Sequence, residues 1–251
     1  MILDEAGNVV RHYSNADTLY KIGDVNIPQY WIRPQQILSA NAGSERFLWD
    51  MHYQPLNIPP SYPIAAVYKN TAPDATSPWV MPGTYNVKLT VDGQTFSQPL
   101  LVKMDPRVKT AIADLQKQHD MSLQCYRNRK EILDALNEIK NMHAQIKTLL
   151  PNANVQIVTV LNEFDQHLSS VETTSGISNE KGFENMNNAF TSIYGTFQET
   201  DMPPTTQAVQ AFQQAQVAYK KLNTKWQDIK KNGLTKLNNE LTKSGSVIIK
   251  L

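Results

Sequence analysis

The sequence predicts an α+β protein of two domains, an antiparallel β-sandwich over residues 1–105 and an antiparallel α-helical bundle over residues 106–251. Three observations lead to this prediction. Apolar and polar residues alternate in Gly83–Val91, as in a strand with one buried face. The first 105 residues contain 10 of the 14 prolines, which lie between short apolar runs. After residue 105, apolar residues recur every three or four positions, the period of an amphipathic helix.

Turn-forming residues separate the strand-like runs of the first part. We predict strand, turn and strand over residues 2–11, and strands over residues 9–13, 46–51, 65–68, 83–91 and 95–103. Asp92-Gly93 supplies the positive φ angles of a tight hairpin turn between the last two strands. Residues 26–36 and 54–63 contain too much proline for central strands, so we expect loops there.

Tyr85 gives the predicted sandwich a more specific character. The Gly83-x-Tyr85 pattern lies where immunoglobulin-like (Ig-like) folds place a corner tyrosine. The ring of such a tyrosine packs in the core, and its hydroxyl binds a backbone group. We therefore expect a structural role for Tyr85 and an Ig-like sandwich over residues 1–105.

Four helical stripes follow the sandwich. The first runs from Ile112 to Leu150, where Pro151 ends it, and the last opens at Pro203-Pro204-Thr205 and ends near Gly245. Two shorter helices are predicted at residues 155–171 and 183–197, joined by a Ser/Thr/Gly-rich link at 173–181. The stripes suit an antiparallel bundle within one chain. The alternative is a coiled-coil stalk that joins several chains.

Composition excludes some classes of function. The net charge is +1 and the basic residues form only short pairs, so the sequence predicts no nucleic-acid binding. It contains no apolar run near the ~20 residues that a membrane span requires. The opening Met1-Ile2-Leu3-Asp4 lacks the features of a signal peptide and enters a strand almost at once. We therefore expect the chain to be part of a larger protein.

The sequence lacks a recognisable catalytic motif. It has no nucleophile elbow, P-loop or dinucleotide fingerprint, so we predict no cofactor and no catalytic residue. Glu45 and Asp50 form the one carboxylate pair in an aromatic neighbourhood, but on a strand they would face opposite sides. We expect Asp50 to bind backbone instead.

The histidines and the cysteine are expected to be structural. The five histidines are scattered without metal-binding spacing, so we predict no metal site and a structural His52. Cys125 is the single cysteine and lies in a helical stripe, where a buried apolar role is expected rather than a reactive thiol.

Aromatic residues in the loops of the first part provide one binding hypothesis. Flat aromatic rings stack on sugars or dock on protein surfaces, and Tyr30, Trp31 and Trp79 are the candidate binding residues. The alternative is that the aromatic residues fill the core and the seam between the domains. The residues concerned are Tyr20, Tyr30, Trp31, Trp49, Tyr53, Tyr62 and Trp79.

Two resemblances to known families rest on short motifs. The first part resembles the Ig-like module of flagellar hook-capping proteins, through Leu3-Asp4-x-x-Gly7-x-Val9-Val10-Arg11, Ala42-Gly43-x-x-Arg46-Phe47-x-Trp49-Asp50 and Pro82-Gly83-x-Tyr85-x-Val87-x-Leu89-x-x-Asp92-Gly93. Nearly the whole chain resembles the C-terminal region of large bacterial proteins built on sortilin-type, BNR-repeat β-propellers, often labelled glycosyl hydrolase-like. The motifs are Tyr30-Trp31-Ile32-Arg33-Pro34, Trp49-Asp50-Met51-His52-Tyr53, Tyr62-Pro63-Ile64-Ala65-Ala66, Val102-Lys103-Met104-Asp105-Pro106-Arg107, residues 183–197, Trp226 and Leu234-x-x-Leu237-Asn238-x-x-Leu241.

The second resemblance implies a non-catalytic structural or interaction module at the C-terminus of a secreted or periplasmic protein. Its partner would be the N-terminal propeller of the same parent protein, and any sugar chemistry would belong to that propeller. A carbohydrate or protein ligand is a further expected partner. The alternative function is a carbohydrate-binding accessory module of a glycosidase.

Overall fold

The chain folds as α+β, as predicted. The structure is a computed structural model that describes residues 1–63, 66–173 and 182–251. It contains a four-stranded antiparallel sheet followed by packed helices. The chain divides into two compact units, Met1–His119 with Asp201–Pro203, and Asp120–Thr200 with Pro204–Leu251. The division at residue 105 stays a prediction.

The sheet is built around one long hairpin. Its strands are β1 (Ile2–Leu3), β2 (Val9–Arg11), β3 (Gly83–Val91) and β4 (Gln94–Val102), in the spatial order β2-β1-β3-β4. In the β3–β4 register, Val91 lies opposite Gln94 at the turn. Asp92 and Gly93 have φ angles of 50° and 79°, which confirms the predicted tight turn.

Two predicted strands are absent from the described residues. Residues 46–51 form no strand, and Met51 at their end has a φ angle of 58°, outside the extended conformation. Residues 51–54 instead run beside residues 77–80, where the Val80 N–H donates to the Met51 carbonyl at 2.9 Å. Of the predicted strand at 65–68, residue 65 lies outside the described residues, as does Ile64 of the Tyr62–Ala66 motif, and 66–68 are not extended in a ladder. The described residues therefore show one sheet and no second layer of a sandwich.

Tyr85 anchors the core beneath the sheet. Its ring is buried with Ile2, Val10 and Val80 and makes an edge-to-face contact with Trp49 at 5.8 Å between ring centroids. The Tyr85 hydroxyl donates to the Met81 carbonyl at 2.6 Å. The structural role predicted for Tyr85, with a buried ring and a backbone-bound hydroxyl, is confirmed.

The helices begin and end close to the predicted positions. They are α1 (Ile112–Leu149), α2 (Val155–Glu172), α3 (Phe183–Gln198), α4 (Thr206–Asp228) and α5 (Leu234–Lys243). A 3-10 turn containing Pro151 follows α1, and Asn154 and Thr205 cap α2 and α4 through their side-chain oxygens. Of the predicted link at 173–181, residues 174–181 lie outside the described residues. None of the described helices is long and apolar enough to cross a bilayer.

The last helix differs from the uninterrupted helix that was predicted. A π-helical turn, Ile229–Gly233, joins α4 to α5 without breaking the helical path. Gly233 lies in this turn, and a Cβ atom there would be 3.3 Å from the Phe164 ring on α2. Because Gly233 has no side chain, the π-helical turn can lie close to the Phe164 ring of α2.

The apolar stripes of α1 to α5 bury one another in a single core. Phe183 packs edge-to-face on Trp226, and Phe190 packs likewise on Tyr219. Because the described helices bury their stripes within one chain, the bundle needs no partner helix to cover them. Cys125 is fully buried here, and burial raises the pKa of its thiol to about 12. The structural role predicted for Cys125 is confirmed.

Candidate aromatic binding site

Tyr30 and Trp31 lie at the end of a short turn that presents them at the surface. The segment Gln29–Trp31 is a 3-10 turn that follows Pro28, and the chain becomes extended at Ile32. Ile32 is buried with Ile27 and Tyr62 in a small apolar core. Ile32 is buried, whereas the next residue, Arg33, is exposed and Trp31 is half-buried.

A second segment, residues 67–71, forms a tight turn that is bonded by one buried hydroxyl. Thr71 is buried, and its Oγ1 accepts from the Val67 N–H at 2.8 Å and donates to the Val67 carbonyl at 2.9 Å. The Asn70 N–H also donates to the Val67 carbonyl, at 3.0 Å. Lys69 adopts a φ angle of 54°, a left-handed conformation that is uncommon for a residue with a side chain. These bonds hold Tyr68 and Lys69 at the tip of a tight turn.

Backbone pairing joins the two segments. The Thr71 N–H donates to the Trp31 carbonyl at 3.2 Å, and the Arg33 N–H donates to the Thr71 carbonyl at 2.8 Å. The Arg33 side chain adds a bond from Nε to Asn70 Oδ1 at 3.0 Å. This pairing places the Tyr68 ring beside Tyr30 and Trp31.

We call Tyr30, Trp31 and Tyr68 the aromatic cluster. The Tyr68 ring centroid is 6.3 Å from that of Tyr30 and 6.4 Å from that of Trp31, with interplanar angles of 63° and 90°. Tyr30 is 66% exposed, Tyr68 is 58% exposed and Trp31 is half-buried. The rings therefore form a stepped apolar surface that is open to solvent.

Two cations border the aromatic cluster. Lys69 Nζ lies 5.3 Å from the centroid of the Tyr68 ring. The Arg33 guanidinium is oriented by Asn70, through Nε to Oδ1 and through Nη2 to the carbonyl at 3.4 Å. Within the part of the chain that the structure describes, no carboxylate pairs with either cation. The border of the cluster thus has an uncompensated positive charge.

Trp79, the third candidate from the sequence, lies against a different residue. It is 49% exposed, and its ring centroid is 3.9 Å from that of His52. His52 is buried, and its Nδ1 lies 2.7 Å from the Ser77 carbonyl, which agrees with the structural role predicted for it. The structure therefore places Tyr30 and Trp31 in one cluster and shows Trp79 in a tilted ring contact with His52.

The sequence prediction missed Tyr68, Arg33 and Lys69. Tyr68 was assigned to a strand that the described residues do not form. Lys69-Asn70 after an apolar run was the available signal, because asparagine favours turns. The other loop aromatic residues are divided: Tyr62 is buried, Trp49 and Tyr53 are half-buried, and Tyr20 is exposed.

The remaining candidates for chemistry have structural partners. Glu45 Oε1 accepts from the Ser39 hydroxyl at 2.9 Å, and Asp50 Oδ1 accepts from the His52 N–H at 3.1 Å, so the predicted backbone contact of Asp50 is confirmed. In the helical unit, His143 Nδ1 lies 2.6 Å from Asp165 Oδ1. Among the described residues, no group of three or more His, Cys, Asp or Glu could hold a metal ion.

No protein-family model, curated protein or solved structure matches this chain. The family resemblances therefore remain hypotheses that rest on the motifs quoted above.

Proposed function

We propose that this chain is a non-catalytic structural and interaction module of a larger secreted β-propeller protein, of the glycosyl hydrolase-like kind that its motifs resemble. Its partner is the propeller of the same parent protein, and its compartment is extracellular or periplasmic. The supporting observation is an exposed apolar face on the β3–β4 hairpin, which is suited to contact with another protein domain.

The exposed hairpin face is defined by Leu89, Val91 and Phe96. Leu89 lies directly opposite Phe96 in the register, so the two side chains share one side of the sheet, and Val91 follows on that side. Leu89 is 50% exposed and Phe96 is 57% exposed. Near the other end of the hairpin, the same side carries the buried Tyr85. Contiguous exposed apolar surface of this kind marks interaction sites.

The contact surface is more readily the exposed hairpin face than the free edge of β4, because that edge contains Pro99. β4 is an outer strand of the sheet, and Pro99 lies in its middle without an N–H group. Proline on an edge strand interrupts the row of donors that an added strand would need. An approaching domain therefore meets the apolar side chains of the hairpin rather than an open ladder of hydrogen bonds.

We also propose that the first unit is a reduced Ig-like sandwich and that the helices form an antiparallel bundle. The bond from the Tyr85 hydroxyl to the Met81 carbonyl supports the first part, because a corner tyrosine binds backbone a few residues upstream. The paired segments 51–54 and 77–80 would be the remnant of the second layer. Mutual burial of the helical stripes supports the second part.

Binding to the propeller tests the proposed function. We would replace Leu89 and Phe96 together by serine and measure affinity for the separately expressed propeller of the parent protein by titration calorimetry. Loss of the two apolar side-chain contacts with the propeller should cost about 2 kcal/mol of binding free energy, or roughly a 30-fold weaker affinity. A matched control replaces Thr90 and Thr95 by serine, because these residues pair on the opposite side of the hairpin. Absence of binding by folded protein would refute the proposal, as would a parent protein that lacks a propeller.

A carbohydrate-binding accessory module is the second candidate function. The exposed aromatic cluster favours it, since sugar rings stack on tyrosine and tryptophan. A glycan array probed with the wild-type chain, Trp31→Ala and Trp79→Ala would test it. We expect specific signals that Trp31→Ala removes. An array without specific signals from folded protein would exclude this function.

A further inference from the structure

We propose that the aromatic cluster, together with Arg33 and Lys69, binds an anionic sugar, that is, a sugar ring bearing a carboxylate or a sulfate. This inference rests on the carbohydrate-binding function above and specifies its ligand. The aromatic rings contact the apolar side of the sugar, and the two cations contact its acidic group.

The positions of the cations support this specificity. Lys69 Nζ lies 5.3 Å from the Tyr68 ring centroid, so a sugar stacked beside Tyr68 has an ammonium group within reach. The Arg33 guanidinium bonds to Asn70, the residue after Lys69, so both cations lie at the 67–71 turn that carries Tyr68. The ligand would therefore contact the aromatic rings with two positive groups beside it at the Tyr68 turn.

The electrostatics favour an anion over a neutral sugar. The structure shows no carboxylate paired with Arg33 or Lys69 among the residues it describes, so neither charge is neutralised by the protein. Hydrogen bonds between a guanidinium or ammonium and an oxyanion are stronger than bonds to a neutral hydroxyl. Because the site is exposed, solvent and salt reduce this gain. A preference of about tenfold for the anionic sugar is the expected scale.

Hydrogen bonds within the chain position Arg33 and Lys69 before a ligand binds. Asn70 holds the Arg33 side chain through two bonds, and Thr71 fixes the turn that holds Lys69 in its left-handed conformation. A left-handed conformation is strained for a lysine and persists only where surrounding bonds enforce it. Groups that are fixed before binding lose less entropy when the ligand arrives.

The test compares charged and neutral forms of the same glycan. Titration calorimetry would measure the whole chain against oligogalacturonate and its neutral methyl ester, and against a sulfated galactan oligomer and its unsulfated form. We expect the charged form of at least one pair to bind about tenfold more tightly at low salt. The preference should shrink to less than about threefold at 0.5 M salt, because salt screens exposed charges.

Variants separate the roles of rings and charges. Arg33→Gln and Lys69→Gln should each reduce the charged-over-neutral preference and leave residual neutral binding, whereas Trp31→Ala should weaken both. Lys88→Gln, a lysine on β3 outside the site, is the matched control and should change nothing.

The outcomes distinguish the two proposals. Equal binding of charged and neutral forms, lost in Trp31→Ala, would leave the carbohydrate function intact and overturn the anionic specificity. Charge-dependent binding that Trp31→Ala does not affect would show that charge attraction acts without the aromatic cluster, and would overturn the inference. No binding to any of the four glycans by folded protein would overturn the anionic-sugar inference, whereas the glycan array decides the carbohydrate function itself.

Discussion

Removal of the Tyr85 hydroxyl should destabilise the sheet unit without altering its packing volume. Tyr85→Phe keeps the buried ring and its contact with Trp49, and deletes only the bond to the Met81 carbonyl at 2.6 Å. A net loss of about 1 kcal/mol is usual for one hydrogen bond, and an unsatisfied buried acceptor costs roughly 1–3 kcal/mol. Met81 is half-buried, so water restores part of the lost bond. We expect a decrease of about 1.5 kcal/mol in the free energy of unfolding.

Urea denaturation monitored by tryptophan fluorescence would measure this loss. Three of the four tryptophans lie in the first 105 residues. With a slope of about 1.5 kcal/mol per molar urea, the midpoint should fall by about 1 M. Tyr30→Phe is the matched control, because Tyr30 is exposed, and its midpoint should stay within about 0.3 M of the wild type. Equal midpoints for Tyr85→Phe and the wild type would refute the corner-tyrosine role.

The difference in unfolding free energy between the wild type and Tyr85→Phe should also depend on pH. Burial raises the pKa of Tyr85 to about 12, with smaller contributions from Tyr53, Asp4 and Glu5. The unfolded state ionises near pH 10 while the folded state keeps its proton, so the stability from the neutral hydroxyl is present below pH 10. It is lost as pH rises through about 12. The stability difference between wild type and Tyr85→Phe should therefore shrink between pH 10 and 12, and a constant difference would contradict this cause.

Two further predictions concern the helical unit. Gly182→Ala should destabilise the folded chain by about 1–3 kcal/mol, because a Cβ atom there would lie 2.8 Å from the Glu172 carbonyl oxygen. The loss should appear as a lower melting temperature, measured by circular dichroism at 222 nm. Gly195→Ala, in open space on α3, should instead stabilise by about 0.5–1 kcal/mol, and the same sign for both variants would contradict the packing argument. Cys125, the single cysteine, should react with a disulfide reagent at pH 8 at least 100-fold more slowly in the native protein than in urea, because burial blocks access and raises its pKa. Rapid native labelling would show that the thiol is accessible.

The helices and the long hairpin could be predicted closely because their signals are local. Pro151 ends the first helix, Asn154 caps the second, and Asp92-Gly93 sets the turn of β3 and β4. Each signal acts through contacts within a few residues. The π-helical turn before α5 was missed, because the close approach of Gly233 to Phe164 depends on a different helix.

The candidate site was predicted only in part. Aromatic content identified Tyr30 and Trp31, but the third ring, Tyr68, joins them through the pairing of Trp31 with Thr71. That pairing connects segments far apart in the chain, and no periodicity within either segment indicates it. Trp79 was grouped with them by composition, whereas its contact with His52 depends on the pairing of residues 51–54 with 77–80.

The sequence by itself determined the α+β class, the ends of the first three helices, the long hairpin and the burial of Tyr85 and Cys125. Periodicity, caps and turn residues encode these features within short stretches of chain. Only the tertiary structure decided that residues 46–51 form no strand, and that Tyr68 completes an open aromatic cluster bordered by two cations. A strand needs a partner to satisfy its backbone, and the exposure of a ring depends on what packs against it. Both depend on residues distant in the sequence.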